Sequence, residues 1–376
     1  MMKVLFRADA SREIGSGHIM RCIVLAEELK NLGAECIFVC RNGSGNLITQ
    51  IRDQGFFVHS ICLQHQDGIT VHQSKECNAT ALYIYSYDEK SDAEQTKFLV
   101  AGQIFDWVVV DHYSLGENWD VLIRPVCRKL MVIDDLANRR HDCDLLLDQN
   151  YYRKPHKRYQ KLVPENCICL LGPDYVLLRR EFIEAKENLR IRTGEVRRVL
   201  VFLGGSDPTN ETKKILIALK QMALNRIEVD VVVGVTNPHH AIIQAMCKEM
   251  AGVNFCQNIS NMAELISEAD IAIGAGGSSI WERCYLGLPS ITSVVASNQL
   301  ETTSDAASLG AIEYMGLAEA LDPEDYATAI SNFIESPDYL KSMSAAGMQI
   351  VNGVGTNAVI DVMLKALKKK TLIPAA

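Results

Sequence analysis

No stretch of about 18 consecutive apolar residues occurs, so no membrane-spanning helix is expected. A basic stripe is missing too. There are 46 acidic against 38 basic residues, a formal net charge of -8, and such a chain is a poor candidate for a nucleic-acid binder. The one basic cluster, Lys368-Lys369-Lys370, is short and suits the carboxyl end of a helix. Near the amino terminus, Arg7 and Asp9 interrupt any signal-peptide apolar region. The twelve cysteines contain no C-x-x-C pair and no Cys/His spacing that suits zinc. They lie in apolar contexts such as Cys36-Ile-Phe-Val-Cys40 and Cys167-Ile-Cys169, which reads as buried reduced thiols. A cytoplasmic location is the expectation. G-x-G-x-x-G with its following acid is absent, as are the P-loop lysine and G-x-S-x-G. Those absences argue against a dehydrogenase, a P-loop nucleotidase and a serine hydrolase.

What is present is ordinary globular composition over 376 residues, 48% apolar and 22% charged, enough for two domains. Over the first 150 residues, short continuous apolar runs alternate with helical spacing. Residues 3–9, 36–40, 107–111, 130–134 and 145–148 read as strands, and His18 to Leu32 as a helix stopped by Gly33. Strands apolar on both faces, with helices between them, indicate a parallel sheet covered on each side. Residues 62–90 break this pattern and read as a surface excursion with loops at 64–68 and 87–91. His59, His65 and His72 are spaced too irregularly to share a face, so no metal site is expected there.

A second α/β series starts at Arg198, with helices at 208–223, 238–250 and 279–286 and a helical tail from about 324 to 369. The expected division is 1–160 as a first domain, 161–195 as a connection with an amphipathic helix near 179–189, and 196–376 as a second domain that includes the tail. Two doubly wound, Rossmann-like halves would face a central cleft, with ligands at the carboxyl ends of the strands.

Four loops stand at such strand ends. The first runs from Arg7 to His18, where Gly15 and Gly17 permit tight backbone geometry and aim amide donors at an anion. His18 is in the first turn of the following helix. The helix end disfavours its cation, so the expectation is a neutral imidazole able to take a proton. A capping or packing histidine is the alternative. In the second loop, Asp111-His112-Tyr113 and Asp134-Asp135 offer carboxylates that orient His18, bind sugar hydroxyls, or cap helices. The third, Leu203-Gly-Gly-Ser-Asp-Pro208, lets a ligand approach Gly204 and Gly205, with Ser206 or Asp207 available as a cap. The fourth, Gly274-Ala-Gly-Gly-Ser-Ser-Ile-Trp-Glu282, presents Gly277, Ser278 and Ser279 ahead of a helix, a ready phosphate site. Glu282 follows about one turn on, placed to accept from ribose hydroxyls.

The opening block Arg7-Ala-Asp-Ala-Ser…Ile-Gly-Ser-Gly-His-Ile-Met-Arg-Cys resembles the UDP-sugar hydrolases of pseudaminic acid biosynthesis. Asp111-His-Tyr113, Asp134-Asp135, Gly204-Gly-Ser-Asp207, Gly277-Ser-Ser-Ile-Trp-Glu282 and Asn298-Gln299 follow in that family's order. The similarity spans nearly the whole chain, and the later glycine loops are shared with GT-B glycosyltransferases. The resemblance implies a GT-B fold with UDP on the C-terminal domain. It also implies removal of UDP from UDP-2,4-diacetamido-2,4,6-trideoxy-β-L-altrose by water attack at the anomeric carbon, with inversion. It carries the general base onto His18, a strand-end tyrosine onto Tyr113, a substrate-contacting asparagine onto Asn298 and a ribose contact onto Glu282. Neither metal nor cofactor is expected, and the partner is a UDP-sugar, with a monomer or weak homo-oligomer as the expected state. The alternative is a GT-B glycosyltransferase that passes the sugar to an acceptor.

Overall fold

The inner strands of the first unit are apolar on both faces and buried on both, while its two edge strands, residues 57–61 and 168–171, are partly exposed. The computed structural model describes residues 1–11, 14–61, 88–222, 226–234, 237–257 and 259–368. Among them the chain divides into two compact units. One comprises residues 1–149, 154–177 and 354–376, the other 150–153 and 178–353.

The first unit runs β1 (Lys3–Ala8), α1 (Gly17–Asn31), β2 (Glu35–Arg41), α2 (Ile48–Asp53), β3 (Phe57–Ile61), α3 (Glu89–Leu99), β4 (Phe105–Asp111), α4 (Glu117–Ile123), β5 (Cys127–Ile133), β6 (Leu145–Asp148), α5 (Pro155–Arg158) and β7 (Ile168–Leu171). Its seven strands are all parallel, in the order β3-β2-β1-β4-β5-β6-β7. Alternate residues feed two cores. Val4, Phe6, Trp107 and Val109 join Ile19, Cys22 and Leu25 of α1 on one face. Leu5, Val108 and Val110 join Trp119 and Ile123 of α4 on the other.

The second unit runs α6 (Arg180–Glu187), β8 (Arg198–Phe202), α7 (Glu211–Met222), β9 (Glu228–Val233), α8 (His240–Lys248), β10 (Val253–Gln257), α9 (Met262–Glu268), β11 (Ile271–Ala275), α10 (Ser279–Tyr285), β12 (Ser290–Val294), α11 (Leu300–Ala307), β13 (Glu313–Leu317), α12 (Pro323–Ile334) and α13 (Pro337–Ile350). Its six parallel strands are ordered β10-β9-β8-β11-β12-β13. In both sheets the strand order reverses beside the first strand, between β1 and β4 and between β8 and β11. Ligands of doubly wound sheets gather at the carboxyl ends of the strands at that point.

Three boundaries differ from the sequence reading. The last helix, α14 (Gly355–Lys368), does not stay with the second unit. Its Val359, Ile360 and Met363 complete the first unit's core against α1, an apolar face whose partner no local pattern reveals. The expected connection at 161–195 is divided, with β7 an edge strand of the first sheet and α6 part of the second unit. Residues 88–91, read as loop, open α3, where the Asp88 side chain accepts from the Lys90 amide. Of the 62–90 excursion, residues 62–87, with His65 and His72, lie outside the described residues, as do Lys369 and Lys370. The ten described cysteines are all free thiols. Residues 337–368, apolar overall, form two helices with separate partners. α13 packs against α10 and α12, and α14 against α1.

Candidate active site

The loop after β1 turns back tightly, with Gly15 N–H donating to the Ser11 carbonyl at 2.9 Å. Gly15 sits at φ +76, left-handed backbone that only glycine adopts cheaply. The turn delivers Gly17 as the first residue of α1 and His18 as the second. β4 pairs with β1 so that Ala8 is level with Asp111, which brings the strand-end carboxylate under the head of α1.

There His18 Nδ1 lies 2.5 Å from Asp111 Oδ1. Arg21, one turn along the same helix face, grips Asp111 twice, Nε to Oδ2 at 2.5 Å and Nη2 to Oδ1 at 2.7 Å. Its Nη1 also donates to Asp135 Oδ2 at 3.1 Å. Tyr113 hydrogen-bonds Asp135, and its ring meets the His18 ring edge-on with centroids 4.3 Å apart. His18, Arg21, Asp111 and Asp135 are all buried, with His18 at 5% and Asp111 at 0% exposure.

The electrostatics follow from these pairings. Burial alone would raise the Asp111 carboxyl, but Arg21 and then His18 override it and hold it well below the usual carboxylate range. An ionised Asp111 only accepts, so Nδ1 carries the proton and the Nε2 lone pair is the basic one. Burial, followed by the Asp135 charge, pushes the Tyr113 phenol up, so it stays neutral. Two carboxylates, Asp111 and Asp135, share the one guanidinium of Arg21.

A second charged cluster lies at the ends of β1, β2 and β4. Arg7, fully buried, bonds Asp9 at 2.6 and 3.0 Å and Asp92 at 2.6 and 3.0 Å. Trp119 Nε1 donates to Asp92 Oδ1 at 2.9 Å, and His112 Nε2 faces Asp9 Oδ2 at 3.3 Å. Asp134 serves the fold, accepting from Ala137 N, Arg139 and Tyr159.

In the second unit the glycine loops are neighbours on β8 and β11, with Phe202 level with Gly274. Gly204 adopts φ +90, and Gly205 lies so close to the end of β9 that a Cβ on Gly234 would meet its carbonyl oxygen at 2.1 Å. Asp207, expected as a ligand-binding residue, spends both oxygens on α7. It accepts from Glu211 N at 2.9 Å, Thr212 N at 3.0 Å and Thr212 Oγ1 at 2.6 Å. A carboxylate capping a helix start explains that choice. Gly277 and Ser278 lead into α10, whose first residue is Ser279. The 297–299 turn bearing Asn298 lies beside them, since Cβ atoms on Gly276 and Gly277 would touch Gln299 at 3.3 and 3.5 Å. Glu282 Oε1 pairs with Arg179 Nη2 at 3.2 Å.

The structure thus gathers His18, Asp111 and Tyr113 in one unit, and Gly277, Ser278, Ser279 and the Asn298 turn in the other. Arg21 was missed, although it stands three residues after His18, the spacing that puts two side chains on one helix face.

Residues 199–354 match the model of the glycosyltransferase family 28 C-terminal domain. Among curated relatives, an uncharacterized protein of Methanocaldococcus jannaschii, MJ1062, is 25% identical over 80% of this chain. The UDP-2,4-diacetamido-2,4,6-trideoxy-beta-L-altropyranose hydrolase of Campylobacter jejuni is 27% identical over 76% of this chain and 89% of its own length. The spore coat polysaccharide biosynthesis protein SpsG of Bacillus subtilis is 30% identical over 49% of this chain. The chain spans 57% of the Methanocaldococcus protein and 54% of the Bacillus one. Among solved structures, Acinetobacter baumannii MurG aligns with TM-score 0.63 at 15% identity over 97% of this chain and 100% of its own. The Neisseria meningitidis UDP-GlcNAc 2-epimerase, bound to UDP-GlcNAc, aligns with TM-score 0.63 at 13% identity, again over 97% and 100%. The resemblance read from the sequence blocks is therefore borne out, and the fold is GT-B.

Proposed function

We propose that this GT-B protein is an enzyme acting on UDP-sugars, and that it hydrolyses UDP-2,4-diacetamido-2,4,6-trideoxy-β-L-altropyranose to UDP and the free sugar. The observation that carries the reading is the His18–Asp111 contact of 2.5 Å at the head of α1, inside the block that resembles the hydrolases. The similarity to the Campylobacter hydrolase supports the same substrate.

His18 Nε2 takes a proton from water as the water oxygen attacks the anomeric carbon. The bond from that carbon to the phosphate oxygen breaks, its electron pair leaves with UDP, and the configuration inverts. Asp111 keeps Nδ1 protonated and stays hydrogen-bonded to the ring while Nε2 takes the proton, and Arg21 holds Asp111 in place. Help of this kind is worth roughly 10²–10⁴-fold. Tyr113 packs the ring into place. In the second unit, Gly204, Gly205, Gly277, Ser278 and Ser279 hold the diphosphate through backbone donors and hydroxyls, where negative charge grows as the bond breaks. Asn298 contacts the sugar and Glu282 the ribose. Asp207 contributes by shaping its loop. UDP is a good leaving group, so neither a strong acid nor a metal is required.

The match to a glycosyltransferase domain favours one second reading, transfer of the sugar to an acceptor. UDP release from a panel of acetamido UDP-sugars, with and without acceptors, separates the two. Release in buffer alone supports hydrolysis, and release only with an acceptor rejects it.

A further inference from the structure

Beneath the glycine-rich turn after β11 lies a cation with no ion pair among the described residues. Arg283 of α10 is 2% exposed. Its Nε donates to Ser290 Oγ at 2.9 Å, its Nη1 to Ser279 Oγ at 3.0 Å and its Nη2 to the Ala275 carbonyl at 3.1 Å. All three acceptors are neutral. The guanidinium presses so closely on Gly274 that a Cβ there would meet Nη1 at 2.7 Å. Its sequence neighbour Glu282 pairs with Arg179 instead. Burial pushes the Arg283 guanidinium down to about 10, which leaves it charged at neutral pH.

The other deeply buried arginines show how unusual this is. Arg7 is answered by Asp9 and Asp92, and Arg21 by Asp111 and Asp135. No carboxylate among the described residues pairs with Arg192, yet it donates to the carbonyls of Ile266, Ala269 and Leu286 at the carboxyl ends of α9 and α10, the negative poles of those helices. Arg283 instead reaches back toward the first turn of α10, the positive pole, so the helix does not offset its charge. A buried cation among neutral partners is costly unless an anion completes it.

We infer that Arg283 is a positioning residue for the diphosphate of the nucleotide, a standing counter-charge beneath the turn formed by residues 276–279. Its route is Ser279. The hydroxyl has one proton and two lone pairs, and Arg283 fills a lone pair. The proton then remains to donate to a phosphate oxygen, strengthened by the cation behind it. This rests on the nucleotide site proposed above, but it is read from binding rather than turnover, so the two fail separately.

The test compares UDP with uridine, which lacks the diphosphate, on the full-length protein by calorimetry or ligand competition. Arg283→Met and Arg283→Gln are expected to weaken UDP binding by roughly tenfold or more while uridine affinity changes less than about twofold. Arg283→Lys, which keeps the charge, is expected to recover most of the loss. Ser279→Ala, away from the core, should show a smaller loss with the same preference. Equal loss of UDP and uridine affinity would reduce Arg283 to a structural clasp, and unchanged UDP affinity in all four variants would overturn the inference. A wild-type protein that binds no UDP would overturn it together with the nucleotide site. UDP binding that depends on Arg283, without sugar release, would sink the hydrolase reading and leave this inference standing.

Discussion

Asp111 Oδ1 lies 2.5 Å from His18 Nδ1, and the same carboxylate takes two hydrogen bonds from Arg21. One strand-end side chain therefore decides which ring nitrogen is basic, and a guanidinium from the same helix face decides where that side chain stands. Replacing Asp111 by Asn keeps the shape but offers Nδ1 an amide donor, which favours the wrong tautomer. Asp111→Asn is expected to lower kcat by roughly 10²–10⁴-fold with little change in KM. Steady-state kinetics check this, and a variant within a few-fold of wild type would detach Asp111 from the chemistry.

Arg7 and Asp92 form a buried pair in which each already has a second partner. Removing the carboxylate leaves a guanidinium in the core with Asp9 alone. Asp92→Ala is expected to destabilise the protein by about 3–5 kcal/mol, measured by urea unfolding. A loss typical of a surface substitution would contradict the role given to this pair.

Acid stability follows from the same pairings. For Asp9, Asp92 and Asp111, burial alone would raise the carboxyl, and the facing guanidiniums of Arg7 or Arg21 hold it down instead. Native values below the unfolded value of about 3.9 mean each group stabilises fully above that value. The contribution is lost as pH falls through the native value. The Tm is expected to change little on this account between about pH 5 and 7 and to fall progressively below about pH 4. A Tm that rises on acidification would refute the assignment.

Glu282 pairs with Arg179 at 3.2 Å, so a ribose hydroxyl would share an already charged acceptor. Glu282→Ala is expected to weaken UDP binding by about tenfold, a charge-assisted bond, while kcat at saturation changes less. Equal UDP affinity in variant and wild type would remove the ribose contact.

The strands were legible because continuous apolar runs are what a doubly covered parallel sheet demands, and β1, β2 and β4 lie within a residue or two of the expected ranges. α3 escaped because its buried face is polar. Asp92 and Thr96 face inward with Ala93, and what buries Asp92 is Arg7, 85 residues away in sequence. Such a face has no hydrophobic period to read. α14 was legible as a helix but not as a partner of α1, since amphipathicity names a face and never the surface that covers it. At the site, the glycines and His18 announce themselves at strand ends. The roles of Asp135 and Arg21 depend on which loops the topology brings to one place, and of the two readings the sequence offered for Asp207, ligand contact and helix cap, the hydrogen bonds at the start of α7 are those of the cap.

The most direct measurement compares His18→Asn with wild type for single-turnover release of the sugar and for UDP affinity on the same preparations. Loss of general-base help is expected to slow release by roughly 10²–10⁴-fold while UDP affinity stays within about twofold. Undiminished release by the variant, or a UDP affinity that falls in step with the rate, would contradict His18 as the base that activates water.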